Sequence, residues 1–308
     1  MPDPEASVPD RVDGGDLIIR DLSEHADLQA LLDVLALVWP RPDGSAPMGV
    51  EVLRALAHAG GMVLGGFHAG ELVGGAIGFV GAPGPSSGAE TGRRSEPMRV
   101  HSHIVGVLPR AQGRSVGTRL KWHQREWCLV RGITEMTWTF DPLVRRNTWL
   151  NLTRLGAEVT EYHEDFYGPM IDDLNAGLPT DRCVATWRLD SPRVRAAATG
   201  RVHPPTFADL RAGGGLVVLE PDPDGHPHAT RPGPDARCRL VRVPADLTEL
   251  RGQGPDLLLR WRLALRDVLG SALADGLRLA AVTRDGWYVL ADREPDREAD
   301  RGCVEEAR

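Results

Sequence analysis

His101 and His103, two residues apart, precede a turn reading Arg110–Ala111–Gln112–Gly113–Arg114–Ser115–Val116–Gly117. An imidazole with a pKa of about 6.5 can take a proton from an ammonium, directly or through water. A turn that opens a helix leaves the first backbone N–H groups, here those of Val116, Gly117 and Thr118, without helical partners. They sit at the positive end of the helix dipole, and together they form a seat for a diphosphate. Gly113 and Gly117 have no Cβ, so a bulky anion can approach the main chain closely. Arg110, Arg114 and Arg119 add positive charge around the same mouth. The pattern reads as a site for a phosphorylated carrier. The plainer reading of the histidines, packing with main-chain hydrogen bonds, competes with a role as base.

These residues need a strand, a turn and a helix to hold them. The apolar run Ile104, Val105, Val107 and Leu108 supplies the strand and Pro109 stops it. Strand alternation places His101 and His103 on the same side as Val105 and Val107. Upstream, Leu17–Arg20 reads as a strand, and Leu28, Leu31, Leu32, Leu35, Val38 and Trp39 recur at helical spacing up to Pro40. A helix is expected at Val50–His58, then a hairpin of Met62–Phe67 and Leu72–Val80 about Ala69–Gly70. Gly81–Pro97 has the composition of a mobile loop, a surface connection or a substrate flap. Downstream come a strand at Ile133–Asp141, a helix at Arg145–Leu155, and extended segments at Glu158–Tyr167 and Val184–Leu189. The order β-α-α-β-β-β-α-β-α-β-β predicts an α/β (α+β) fold, a mixed twisted sheet with helices on both faces.

At Gln112–Gly113–Arg114–Ser115–Val116–Gly117 the chain resembles the GNAT superfamily of acyl-CoA-dependent N-acyltransferases. Its signature is Gln or Arg, two variable residues, Gly, one variable residue, then Gly or Ala, after a Val-rich strand. Ser115 departs from the usual glycine. The family follows with a strand and an Asn-headed helix ending in Leu-Gly, as Ile133–Asp141 and Asn147 to Leu155–Gly156 do here. The resemblance covers about the first 190 residues, an ordinary single-domain length.

The resemblance implies acetyl-CoA or another acyl-CoA as co-substrate, held by Gln112 through Thr118, Asn147, and the backbone at Val105 and Val107. The pantetheine arm would lie along the splayed end of that strand, where a free N–H can polarise the thioester carbonyl. His101 matches the position of a glutamate base in the histone-modifying members. Leu152 stands where many members carry a tyrosine acid, so Tyr162 and Tyr167 are the substitutes by sequence, or solvent serves. Helix capping competes for Asn147, and core packing competes for both tyrosines. Asp141 before Pro142 can bind an ammonium or cap a turn. The run TWTFDPL, Arg146–Asn147, Asn151–Leu152 and Leu155–Gly156–Ala157 also resembles a bacterial subgroup whose relatives look like amino-acid acylators, succinyl transfer included.

The chain has 308 residues and a net charge of −7, with Lys121 its single lysine. An acidic balance argues against general nucleic-acid binding. Cys128, Cys183, Cys238 and Cys303 are far apart and lack metal-ligand spacing, so no metal is expected. No apolar run reaches membrane-spanning length and MPDPEASVPD lacks the regions of a signal peptide, so a cytoplasmic location is expected. The expected division is a disordered 1–16, a GNAT-like domain at 17–190, a C-terminal α/β extension at 191–292 and a disordered 293–308. Within the extension, Gly215–Glu220 and the PDPDGHP turn suggest a hairpin, with a strand at Arg239–Val243, a helix at Asp256–Leu273 and strands near Leu277–Thr283 and Trp287–Leu290. Arg242–Val243–Pro244 followed by Arg260–Trp261 mirrors Val107–Leu108–Pro109 followed by Lys121–Trp122, which suggests a decayed repeat. The reading is an N-acyltransferase that moves an acetyl or related group to a small primary amine by direct transfer. A non-catalytic acyl-CoA-binding sensor on the same scaffold is the alternative, favoured by Ser115 and Leu152. Whether the chain forms a homodimer is left open.

Overall fold

The computed structural model describes residues 17–81, 98–170, 177–233 and 235–292. The expected Gly81–Pro97 loop, save Gly81 itself, and both expected disordered ends lie outside them. The chain divides into two compact units: 1–138 with 170–176 and 188–190, and 139–169 with 177–187 and 191–308. The cut runs through a strand.

In the first unit the elements are β1 (Leu17–Asp21), α1 (His25–Val38), α2 (Val50–His58), β2 (Met62–His68), β3 (Glu71–Gly81) and β4 (Arg99–Val107). A 3-10 turn at Pro109–Ala111, α3 (Val116–Val130) and the start of β5 (Glu135–Phe140) complete it. These five strands lie in the order β1-β2-β3-β4-β5, antiparallel up to β4 and parallel between β4 and β5. Helical spacing does what it promised: Leu28, Leu31, Leu32 and Leu35 of α1 are buried with Leu53 of α2 and Ile77 of β3 on one face. Val116 and Leu120 of α3 pack with Val73, Val105 and Val107 on the other. The mixed sheet with helices on both faces is present. The β2–β3 hairpin turns at Ala69 (φ 50°) and Gly70 (φ 81°), both left-handed, which matches the twist of the strands it joins.

The second unit holds the end of β5, α4 (Arg145–Trp149) running into a π-helical turn at Leu150–Arg154, then β6 (Glu158–His163) paired antiparallel with β7 (Arg182–Arg188). Three short helices follow or intervene: α5 (Pro192–Ala198), α6 (Phe207–Ala212) and α7 (Leu247–Gly252). The long helix is α8 (Pro255–Ala274). A separate five-stranded sheet is built of β8 (Leu216–Pro221), β9 (Pro227–Ala229), β10 (Cys238–Arg242), β11 (Arg278–Val282) and β12 (Trp287–Ala291), in the order β11-β12-β10-β8-β9. The expected hairpin at the PDPDGHP turn is β8–β9. The suspected repeat recurs in element order only. β4 and β5 are parallel neighbours, whereas β12 lies antiparallel between β10 and β11. No helix among the described residues is long and apolar enough to cross a membrane.

Candidate functional site

The opening of α3 is the anion seat in its barest form. Gly113 takes φ 78° and Ser115 takes φ 56°, ψ 15°, so the loop reverses sharply before Val116. Ser115 occupies the N-cap position, yet its hydroxyl makes no cap hydrogen bond. The first-turn amides of Val116, Gly117 and Thr118 therefore have no side-chain cap. A Cβ at Gly113 would meet nothing within 4 Å, and one at Gly117 would meet only Val107 Cγ2 at 3.7 Å, an ordinary contact. Packing does not demand glycine at Gly117, and the space over the turn is open. Gln112 folds back, its Nε2 donating to the Val107 carbonyl at 3.2 Å, which ties the loop to the end of β4.

The arginines are less free than the sequence suggested. Arg110 pairs with Glu71 at 2.7 Å, both exposed, and Arg119 donates to the Leu17 carbonyl at 2.9 Å. Arg114 is exposed without a partner among the described residues, and it lines a cleft of about 230 Å³ with His68, Ala69 and Arg110.

Ser115 is a non-glycine residue in the left-handed region, a conformation costing about 1 kcal/mol or more. Ser115→Gly is expected to leave the fold intact and to raise stability by up to about 1 kcal/mol, the extra freedom of glycine in the unfolded chain offsetting part of the gain. Urea unfolding measures this; a clear loss would mean that the serine side chain holds the loop.

One expectation about β4 is corrected. Ile77 faces Ile104 across the β3–β4 ladder and Gly78 faces Ser102, so His103 is an extra residue, a β-bulge. The bulge breaks the alternation. Val105 and Val107 point to α3, and His101, expected on their side, does not. His101 lies opposite Phe79 on the face shared with Ile77 and Ile104, which pack against α1 and α2. His101, His103 and Phe79 form a ring cluster with centroids 5.2, 5.8 and 6.3 Å apart. His101 Nδ1 lies 3.3 Å from Thr137 Oγ1. Burial first, then the charges of His103, Lys121 and Arg99, lower the His101 pKa to about 4. Loss of solvent around its ring lowers that of His103 as well. Both rings are neutral at pH 7.

The β4–β5 pairing runs Arg99↔Glu135, Val100↔Met136 and His101↔Thr137, where the rungs stop. Past that point β4 continues to Val107 with its edge toward β5 unpaired in this ladder.

The chain is similar to solved N-acetyltransferases. An Arabidopsis thaliana Naa50 structure, in complex with a bisubstrate analogue, shares 16% identity, covering 56% of this chain and 97% of its own, with a TM-score of 0.43. The ribosomal-protein-S18-alanine N-acetyltransferase of Escherichia coli gives 14%, 57%, 95% and 0.43. An N-acetyltransferase of Staphylococcus aureus Mu50 gives 12%, 57%, 99% and 0.44. No protein-family model and no curated protein matches the chain.

The remaining expected site residues lie in the second unit. Asn147 is half-buried on α4, its N–H donating to the Val144 carbonyl at 2.9 Å. Leu152 is core, and Asn151 buries an Nδ2 with no hydrogen-bond partner in the π-helical turn. The Tyr162 hydroxyl donates to Asp181, and burial followed by that bond pushes its pKa up. Burial works to raise the Asp181 pKa, but its bonds from Arg266 (2.7 and 3.0 Å) and Tyr162 bring it down. The Tyr167 hydroxyl lies 2.7 Å from Thr139 Oγ1, with its ring edge-on to Phe166. Asp141 accepts from Leu143 N at 2.8 Å, the turn cap of the two readings, and its charge is met by Arg262 at 2.6 and 2.7 Å. Sequence reasoning missed both arginine partners, because each pair joins residues far apart in the chain.

Proposed function

We propose that this protein is an acyl-CoA-dependent N-acyltransferase, acting on the primary amine of a small metabolite such as an amino acid, with acetyl or a related acyl group such as succinyl. The uncapped first turn of α3, with open space over Gly113 and Gly117, carries the reading. Gln112, Gly113, Arg114, Ser115, Val116, Gly117 and Thr118 would hold the diphosphate, with Arg114 as the available cation. The unpaired edge of β4 at Val105 and Val107 would align the pantetheine arm, and a free N–H farther along that edge, where β4 parts from β5, would bond the thioester oxygen. Positioning of amine and thioester supplies most of the rate in such direct transfer.

His101 is the base in this reading. Its neutral imidazole, on the α1–α2 face where the strands part, can accept the proton that the acceptor nitrogen loses, directly or through His103 or water. Of the two tyrosines, Tyr162 is poorly suited to give a proton, since its hydroxyl is already committed to Asp181.

The test is a CoA titration followed by a thiol-release assay across a panel of amines and amino acids. Saturable CoA binding with turnover on at least one amine supports the reading. Binding without any turnover gives the sensor instead, and no binding ends both. His101→Ala is expected to lower kcat by about 10²-fold with CoA affinity unchanged. Because burial holds its pKa near 4, its loss should remove a limb at the acid end of the pH-rate profile rather than near neutrality. An unchanged kcat would remove His101 as the base.

A further inference from the structure

The only lysine of the chain is one of its most buried charged residues. Lys121 is 5% exposed, on the sheet-facing side of α3 one turn past Gly117. Its Nζ donates to Ser102 Oγ at 2.9 Å and lies 3.8 Å from the centre of the Trp138 ring. Ser102 follows His101 and Trp138 follows Thr137, the last paired residues of β4 and β5. The ammonium therefore straddles the first position on each strand where the sheet opens, on the face opposite His101. Ser102 lies five residues down β4 from Val107, about 16 Å at strand rise, of the order of an extended pantetheine arm. A carrier seated at Gly113–Thr118 and running along that edge would bring its sulfur to this point.

No charge among the described residues neutralises Lys121. Ser102 Oγ donates onward to Gln124 Oε1 at 3.2 Å, and Gln124 Nε2 donates to Met62 Sδ at 3.2 Å. β5 presents the Trp138 ring and β2 presents Met62. The nearest titratable groups are His101, across the sheet on β4, and Cys128 on its own helix, and no carboxylate pairs with it among the described residues. We infer that Lys121 is the general acid that protonates the departing sulfur of CoA; this rests on the transferase reading above. It fills the role left open by Leu152 and by the committed Tyr162 hydroxyl.

The step balances. The acceptor nitrogen bonds to the acyl carbon, the C–S bond breaks and its electron pair stays on sulfur. A proton passes from Lys121 Nζ to that sulfur, which leaves a neutral amine that burial favours. Solvent then restores the Lys121 proton, while the proton lost by the acceptor nitrogen leaves on the His101 face. Burial lowers the Lys121 pKa from 10.5 to about 7, so an amine so placed can give its proton to a thiolate whose ordinary pKa is about 8.5.

A single lysine permits a direct test. Protein labelled with carbon-13 lysine gives one side-chain methylene signal to follow by NMR. It is expected to titrate near pH 7, and to move on adding CoA but not on adding desulfo-CoA, while the amides of 113–118 move with both. Lys121→Met is expected to lower the kcat of thiol release by about 10²-fold, to leave CoA affinity unchanged, and to lose the decline in rate above pH 7. A lysine signal indifferent to CoA while the loop amides shift would overturn the proposal and leave the transferase reading standing. So would a Lys121→Met enzyme with full kcat and the original pH profile. If neither the lysine nor the loop responds to CoA, the transferase reading itself has failed.

Discussion

Gly117→Glu is expected to raise the Kd for CoA by about 10³-fold in a protein that folds as before. A carboxylate placed about 4 Å from a diphosphate oxygen at the mouth of α3 faces a repulsion of about 4 kcal/mol at an effective dielectric of 20. The fold has no objection to the side chain. A Cβ there touches only Val107 Cγ2, at 3.7 Å, and a carboxylate in the first turn suits the helix dipole. Gly106 is the opposite case, since a Cβ there would meet Leu35 and Trp39 at 2.8 Å, so Gly106→Ala should cost stability without touching the seat. Calorimetric titration with CoA and a thermal melt separate the two effects. Gly117→Gln, equal in size and uncharged, should weaken binding far less than Gly117→Glu. Wild-type affinity in Gly117→Glu would place the diphosphate elsewhere.

The first unit was legible because its signals are local. Leu28, Leu31, Leu32 and Leu35 repeat at helix spacing, and Ala69–Gly70 marks a tight hairpin; the loop at Gly113–Gly117 names its own helix start. What was misread depends on partners. The bulge at His103 is set by the register of β4 against β3, so the sequence HSHIVGV looks like plain alternation and hides it. Lys121 carried a readable sign, since it lies on the same helix stripe as Gly117, Gln124 and Cys128, but a lone lysine among polar neighbours reads as surface. The short helices α5, α6 and α7 were missed although each is announced by a cap: Ser191 accepts from Val194 N, Thr206 from Asp209 N, and Asp246 from Thr248 N and Glu249 N. Their six or seven residues leave no room for a periodic pattern. Asp141–Arg262 and Asp181–Arg266 are separated by 121 and 85 residues, and such pairs leave no local trace.

Lys121 also predicts how stability should follow pH, independent of any reaction. In the unfolded chain its amine keeps the ordinary value of 10.5, and in the folded chain it titrates near 7. Between those values the unfolded chain binds more protons, so stability rises with pH across that window. Below about 7 both states are charged and the whole cost of burying the ammonium is felt, on the order of 3–5 kcal/mol. Above about pH 9 the buried Cys128 thiol, its pKa pushed up to about 12 by burial, acts in the opposite direction. Comparison with a variant therefore isolates the lysine. Lys121→Met keeps the methylene packing, sets a thioether against the Trp138 ring, and leaves Ser102 bonded to Gln124. Urea unfolding at pH 6, 7.5 and 9 should find the variant more stable than wild type by a few kcal/mol at pH 6, the gap closing steadily toward pH 9. Lys121→Arg cannot shed its charge and should be destabilised throughout. If wild type and Lys121→Met share one flat profile, the amine is solvated in the folded protein and cannot be the neutral-pH proton donor at the parting of β4 and β5.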